Sequence, residues 1–282
     1  MKNKWRILKI AVTVVLFGFL LSFSLNRFNQ ADMKKVTVRL LEEPGKDKVY
    51  FIDEKNVIDF IQSSNQSGKI GDINIPELER EVRFFPSVDS ANVYLNLNGE
   101  LNVDIRQRIP AFRMKRGEQD FYVDQKGNEF PVSKIYSHPV ILVMGDVKRS
   151  EYIEVVKLTE EINKDEFARN YFIGISKKRG SYHLITSEGN FKVELGDLNN
   201  IEFKLKGFKS FVEKFLVYQN PLKYNKISVR YDNQIVTSLN PDFKENDSIL
   251  SVRLKEFEKI PEKARKKALA EASLRNAASS GN

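Results

Sequence analysis

The sequence contains no cysteine and only two histidines, His138 and His183, among its 282 residues. Without cysteine the chain can form no disulfide bond, no thiolate-bound zinc site and no cysteine nucleophile. Two histidines also disfavour a histidine-rich metal site, and we expect both to be ordinary surface or edge residues. The absence of cysteine fits an exported protein that is stabilised by its hydrophobic cores alone.

The common catalytic motifs are missing as well. No serine lies three residues before a lysine, as penicillin-binding transpeptidases require, and no Gly-x-Ser-x-Gly, Walker or Gly-x-Gly-x-x-Gly sequence occurs. A carboxylate pair for glycoside hydrolysis would meet in space rather than in sequence, so an anchored wall hydrolase stays open as the enzyme alternative. We predict a protein that is not an enzyme and has no catalytic residue, cofactor, metal or small-molecule substrate.

The formal net charge of +8 is concentrated at the N-terminus. Residues 1–40 contain eight Lys or Arg and one acidic residue, whereas the rest of the chain contains 38 basic and 37 acidic residues. A nucleic-acid-binding domain needs a basic face, so we predict no nucleic-acid partner. The basic excess instead flanks a hydrophobic run, where it can meet anionic lipid headgroups.

That hydrophobic run, residues 7–25, predicts a transmembrane anchor of roughly 28 Å, close to the bilayer's hydrocarbon thickness of about 30 Å. Basic residues precede it, which places residues 1–6 in the cytoplasm and the bulk of the chain outside the cytoplasmic membrane. Residues 26–33 would be a short polar stalk. A cleaved signal peptide is the alternative, but Ser22-Phe23-Ser24 is a poor cleavage site because bulky and charged residues follow it.

Residues 34–110 carry a β-α-α-β-β pattern. A strand with alternating Val36, Val38 and Leu40 runs to a break at Pro44-Gly45. Two helices follow, one capped by Asp53 and running to Gln62, the other with Pro76 in its first turn and stopped by Pro86. A hairpin closes the unit: Ala91, Val93, Leu95 and Leu97 share one strand face, Leu101, Val103 and Ile105 share the next, and Asn98-Gly99 favours a type I′ turn between them.

Residues 111–240 predict a mixed β-sheet domain with packing helices. Ser150 is expected to cap a helix to about Asn163, and Asn199 with Glu202 to form a capping box on a second helix whose stripe ends at Phe215. The predicted strands are residues 121–123, 140–144, 171–175, 182–186, 191–195, 227–231 and 234–239. Residues 241–282 form a charge-mixed tail, a solvated helix or a disordered segment.

The motifs of these two regions together resemble the FtsQ/DivIB cell-division family. The first region, behind a single anchor, looks like a POTRA domain, and the run from Pro86 and Val88 to Arg108-x-Pro110 is similar to the end of the POTRA domain in that family. Tyr122-Val123-Asp124-x-x-Gly127 and Val229-Arg230-Tyr231-Asp232 resemble motifs of its second domain. The resemblance implies an α+β fold: a transmembrane helix, a POTRA domain and a mixed β-sheet domain.

The resemblance also implies a function and partners. The protein would be a non-catalytic divisome scaffold in the cell inner membrane, acting in septation. It would bind FtsB (DivIC)-like and FtsL-like bitopic proteins and so reach the septal peptidoglycan synthases indirectly. The alternative is a membrane-anchored POTRA-type binding module of another envelope-assembly machine.

The expected partner-binding surface is the last predicted strand with the turn before it. Residues 234–239 would be added last to the sheet and contain no charge or proline, the usual protections of an exposed edge. We expect an incoming strand to pair there, unless the C-terminal tail covers the edge, and we expect proline at Val236 to remove a ladder donor. The predicted partner-binding residues are Arg230, Tyr231, Asp232, Gln234, Ile235, Val236, Ser238 and Leu239.

Overall fold

The computed structural model describes residues 2–42, 48–65, 67–133 and 136–259. The predicted break at Pro44-Gly45 and residues 260–282 of the predicted tail lie outside this part of the chain. The chain divides into two compact units, Met1–Ile109 with Ser133–Ser137 and Pro110–Val132 with His138–Asn282. The fold is α+β, with an N-terminal apolar helix and a large mixed sheet with packed helices, as predicted.

The first unit begins with helix α1, Lys2–Asn29. An 18-residue window within its segment Trp5–Asn29 has a mean hydropathy of 2.2, and the segment is long and apolar enough to cross a membrane. The helix extends beyond the predicted span at both ends, at 28 residues or about 42 Å. The predicted stalk is therefore wrong in its first half, because residues 26–29 continue the helix.

The rest of the first unit has the predicted β-α-α-β-β order. Its elements are β1 (Lys35–Leu41), α2 (Glu54–Ser64), α3 (Ile75–Arg83), β2 (Val88–Leu95) and β3 (Glu100–Gln107), with a short 3-10 turn at Ile70–Asp72. Strand β3 is central, parallel to β1 and antiparallel to β2. The sheet buries one face under the two helices, in a core of Val36, Val38, Val57, Ile61, Leu78, Val82, Val88, Ala91, Val93, Leu101, Val103 and Ile105.

Local details of this unit partly follow the prediction. Asp53 caps α2 as expected, accepting a hydrogen bond from the Lys55 N–H at 3.0 Å. Leu97, expected on the buried hairpin face, is 93% exposed because β2 ends at Leu95 and residues 96–99 form the loop. The type I′ turn is also wrong, since it needs positive φ at both central residues and only Gly99 has it.

The second unit is built on a nine-stranded sheet. Its strands are β4 (Pro110–Arg116), β5 (Gln119–Asp124), β6 (Glu129–Pro131), β7 (Leu142–Gly145), β8 (Phe172–Lys178), β9 (Ser181–Thr186), β10 (Lys192–Gly196), β11 (Tyr224–Tyr231) and β12 (Gln234–Leu239). Their order across the sheet is β12-β11-β10-β9-β8-β7-β4-β5-β6. The pairs β4/β7, β7/β8 and β10/β11 are parallel and the others antiparallel, so the sheet is mixed.

Helices cover one face of this sheet. They are α4 (Tyr152–Lys164), α5 (Glu166–Tyr171) and α6 (Ile201–Lys214), and a further helix, α7 (Asp247–Lys259), follows the last strand. Leu184 of β9 and Val193 of β10 belong to the same buried core as Leu158 of α4 and Phe208 of α6. Successive side chains of a strand point to opposite faces, so His183, next to Leu184, lies on the face away from these helices.

Three local predictions in this unit are wrong. Ser150 does not cap α4, because it lies inside a 3-10 turn, Arg149–Glu151, and the helix begins after that turn. Asn199 and Glu202 form no capping box: the residue before α6 is Asn200, with φ of 52° and no side-chain cap bond. Phe215, expected on the packed stripe of α6, follows the helix and is exposed.

Candidate functional site

The candidate site is the free edge of the second unit's sheet. In the part of the chain that the structure describes, β12 pairs with β11 alone and ends the sheet. The register sets Gln234 opposite Tyr231, Val236 opposite Ser228 and Ser238 opposite Lys226. The predicted hairpin and its place at the sheet edge are therefore present.

The register also identifies which backbone groups of β12 face outward. Gln234 pairs with Tyr231 across a two-residue turn, which requires its N–H to point toward β11. At the other end, the Asn240 N–H donates to the Lys223 carbonyl at 2.8 Å. N–H direction alternates along a strand, so the inward groups are those of even-numbered residues and the outward groups are those of Ile235, Thr237 and Leu239.

This assignment corrects one expectation from the sequence. The Val236 N–H points to β11, so proline at Val236 would break the hairpin itself rather than the outer edge. Thr237, which is not among the predicted partner-binding residues, carries the central outward donor. The sequence could not identify it, because the direction of each N–H depends on the register that the turn fixes.

The side chains of β12 divide between the two faces of the sheet. Ile235 and Leu239 are partly buried and pack against the core on the helix-covered face. Gln234 and Val236 are exposed and Ser238 is half-buried on the other face, with 36% of Val236 accessible. The strand therefore has an anchored inner face and an edge that no charge or proline protects.

The four residues before β12, residues 230–233, form the turn end of the site. Tyr231 is 54% exposed, and the Arg230 guanidinium carbon lies 6.0 Å from its ring centroid, within the range of a cation–π contact. Asp232 lies in the exposed turn, followed by Asn233 at a φ of 56°. An exposed tyrosine beside an arginine is a combination enriched at protein interfaces.

Gly196 at the end of β10 supports Arg230. A Cβ built on Gly196 would lie 2.6 Å from Cγ of Arg230, and the glycine itself has a φ of +74°. Only glycine both adopts this backbone conformation at low cost and leaves room for the arginine stem. Gly196 was not predicted from the sequence, because the contact joins β10 to β11 and has no local signature.

His138, His183 and Asp124 lie in environments that give them structural roles. His138 is buried and its backbone N–H donates to the Tyr122 hydroxyl at 3.0 Å, so the expected surface position is wrong. His183 lies in β9, an interior strand of the sheet, and burial lowers its pKa. The Asp124 carboxylate accepts the N–H groups of Lys126 and Asn128 at 2.9 and 2.8 Å and thereby forms a turn. Among the described residues no group of three or more His, Cys, Asp or Glu could hold a metal ion.

One ion pair next to the site joins side chains of β10 and β11. Burial opposes ionisation of Glu194, but the hydrogen bond from Lys226 and the charge of Lys226 outweigh it and keep the pKa of Glu194 below its usual value. The Lys226 Nζ lies 3.0 Å from the Glu194 carboxylate. Glu194 is therefore ionised and fixes Lys226 on the face of the sheet away from the helices.

The comparisons bear on the second unit. Residues 109–238 match the family model described as FtsQ/DivIB, C-terminal related, a region that runs from the residue before β4 to Ser238 in β12. No curated protein matches the chain. The match covers the same sheet that carries the Arg230-Tyr231-Asp232 motif and the free edge. The match covers less than half of the chain, and it makes the second unit similar to the FtsQ/DivIB, C-terminal related family.

Proposed function

We propose that this protein is a non-catalytic, bitopic scaffold of the division machinery. In this proposal α1 anchors the chain in the cytoplasmic membrane with residues 1–6 inside, residues 34–110 form a POTRA domain, and residues 111–240 form the partner-binding β domain. The scaffold binds FtsB (DivIC)-like and FtsL-like proteins and links early division components to septal peptidoglycan synthesis. The family match and the apolar N-terminal helix support it.

The observation that carries the proposal is the unprotected edge of β12. Three outward N–H groups, with the carbonyls between them, can pair with an extended segment of an FtsB-like partner by strand addition. Each hydrogen bond contributes about 0.5–1.5 kcal/mol net, so the apolar contacts beside Val236 and Tyr231 must add to the affinity. Arg230 and Asp232 at the turn would set the register of the incoming strand.

A competing occupant of the edge is the C-terminal tail of the same molecule. The described part of the tail, residues 241–259, ends in α7 and makes no strand pairing with β12. Residues 260–282 lie outside the described part. Removing residues 260–282 therefore tests this alternative. If the tail covers the edge, its removal exposes β12 and the partner should bind more tightly.

A second candidate function is that of a POTRA-type binding module in another envelope-assembly machine. The β-α-α-β-β order of the first unit favours it, because that order is the one expected of a POTRA domain. Depletion of the protein separates the two. Filaments without septa support the division scaffold, whereas loss of outer-membrane proteins with normal septa supports the assembly module.

The biochemical test is a pull-down with the segment Lys34–Asn282 as bait. Capture of FtsB-like and FtsL-like proteins from detergent-solubilised membranes is the expected result. Failure to capture either, with the bait folded by thermal melting, contradicts the proposed partners. Release of muropeptides by the purified bait would instead support the wall hydrolase.

A further inference from the structure

The face of the large sheet away from the helices carries a groove separate from the β12 edge. It crosses the sheet from the end of β7 to Ser238 of β12 and has a volume of about 670 Å³. Its floor is formed by small or half-buried side chains, among them Ser176 of β8 and His183 of β9. Lys178, Lys192 and Lys226 line its sides.

Gly145 shapes one end of this groove. The glycine has a φ of +95°, and a Cβ there would lie 2.1 Å from the Lys177 carbonyl oxygen. The backbone of β7 therefore approaches β8 more closely than any side chain allows, and Asp146 follows at the rim. This close approach fixes the groove's end in the backbone rather than in mobile side chains.

The groove is rich in hydrogen-bond donors. Ser176 and Ser238 supply hydroxyls, Asn225 supplies an amide and the three lysines supply ammonium groups. His183 Nδ1 lies 3.1 Å from the Ser181 carbonyl, so in the neutral ring Nδ1–H donates to that carbonyl and Nε2 is an acceptor, and the ring adds no donor to the hydroxyl, amide and ammonium groups. A ligand with many acceptors, above all carboxylates, matches this set.

The charge balance favours an acidic ligand. Lys226 is neutralised by Glu194 at 3.0 Å, and the Lys177 ammonium is paired with Glu151. Lys178 and Lys192 have no ion-pair partner among the described residues, and both are exposed. Asp146 supplies one opposing charge, so the rim has a net positive charge that an anionic partner can neutralise.

We propose that this groove is a docking site for an acidic, extended peptide segment of a partner protein. The groove is long and shallow and reaches β12 through Ser238, so a partner chain can cross it without entering a deep pocket. The chain's own residues 260–282 do not have the required charge, since they contain five Lys or Arg and two Glu. The docking site requires no strand pairing at β12 and goes beyond the proposed function.

The test uses the full chain in detergent and a blocked synthetic peptide of four Glu-Ser repeats. The peptide is titrated by fluorescence anisotropy against the parent, the Lys178→Glu/Lys192→Glu variant and a control, Lys157→Glu/Lys214→Glu. The control residues are exposed lysines of α4 and α6, so the control makes the same charge change on the helix-covered face. A Lys-Ser repeat peptide serves as the probe of opposite charge.

The groove variant should bind the Glu-Ser peptide about tenfold more weakly at low salt, and the control less than twofold. The ring resonances of His183 should shift on titration and those of His138 should not. Equal weakening in both variants, or an unmoved His183, overturns the proposal, as does binding of soluble muropeptides in place of the peptide.

A proline variant distinguishes peptide binding in the groove from partner binding at the β12 edge. Thr237→Pro removes the outward donor of β12 and should leave Glu-Ser peptide binding unchanged. If Thr237→Pro abolishes peptide binding, the peptide pairs with the edge and the groove proposal fails. If the groove variant binds an FtsB-like partner normally and only peptide binding is lost, the proposed function stands independently.

Discussion

Proline at Thr237 is the sharpest perturbation of the proposed docking edge. The Thr237 N–H points away from β11, so its loss leaves the β11–β12 hydrogen bonds intact, and prolines are tolerated on edge strands with the N–H side toward solvent. The unfolding free energy should therefore change by less than about 1 kcal/mol, and the melting temperature should move little. Val236→Pro, by contrast, removes an inward donor facing buried Ser228 and should cost about 1–3 kcal/mol.

The binding effect of Thr237→Pro has two parts. One hydrogen bond, about 0.5–1.5 kcal/mol net, is lost, and the proline ring occupies the space that the incoming strand's carbonyl needs. We expect at least a tenfold loss of affinity for an FtsB-like segment, measured by titration calorimetry, while Thr237→Ala, which keeps the N–H, stays within threefold. Full affinity in Thr237→Pro would refute the assignment of the edge.

Four further predictions follow from the structure. Val103→Asp places an unpaired charge in the fully buried core of the first unit and should lower the unfolding free energy by several kcal/mol, seen by thermal melting; unchanged melting would contradict the core assignment. Gly196→Ala should displace Arg230. It should lower the unfolding free energy by about 1 kcal/mol and weaken the free energy of partner binding by more than that. Normal binding would show that Arg230 is not part of the site. Burial lowers the pKa of His183 below 6.5, so the neutral ring contributes stability that is present above pH 6.5 and lost as pH falls through its folded pKa. His183→Gln should therefore flatten the fall in melting temperature between pH 7 and pH 5. An unchanged slope would contradict this role of His183. N-terminal sequencing of membrane-extracted protein should begin at the first residues of α1, and a start near Leu25 would show a cleaved signal.

Local signals in the sequence predicted much of the first unit. The Asp53 cap, the alternation in β1 to β3 and the two short helices are each encoded within a few neighbouring residues, and the structure has them. Strand β4 was predictable from the same signal, because Phe112 and Met114 are buried and their neighbours are not, but it was not recognised. Helix α5 is only six residues long and leaves no helical period to detect.

Features that depend on distant residues could not be predicted in the same way. Gly196 supports Arg230 across two strands, and the outward N–H of Thr237 follows from a register that a two-residue turn fixes. The groove exists because three strands, β8, β10 and β11, bring Lys178, Lys192 and Lys226 to one face. Sequence periodicity identifies a strand's faces but not which strand will lie beside it.

The most direct test of the account is amide hydrogen exchange along β12 with and without an FtsB-like segment. In the free protein the N–H groups of Val236 and Ser238 should exchange slowly and those of Ile235, Thr237 and Leu239 rapidly, because only the first set is bonded to β11. On binding, the three rapid amides should become protected while those of the first unit do not change. Protection elsewhere, with Ile235, Thr237 and Leu239 still exchanging rapidly, would contradict partner binding by strand addition at β12.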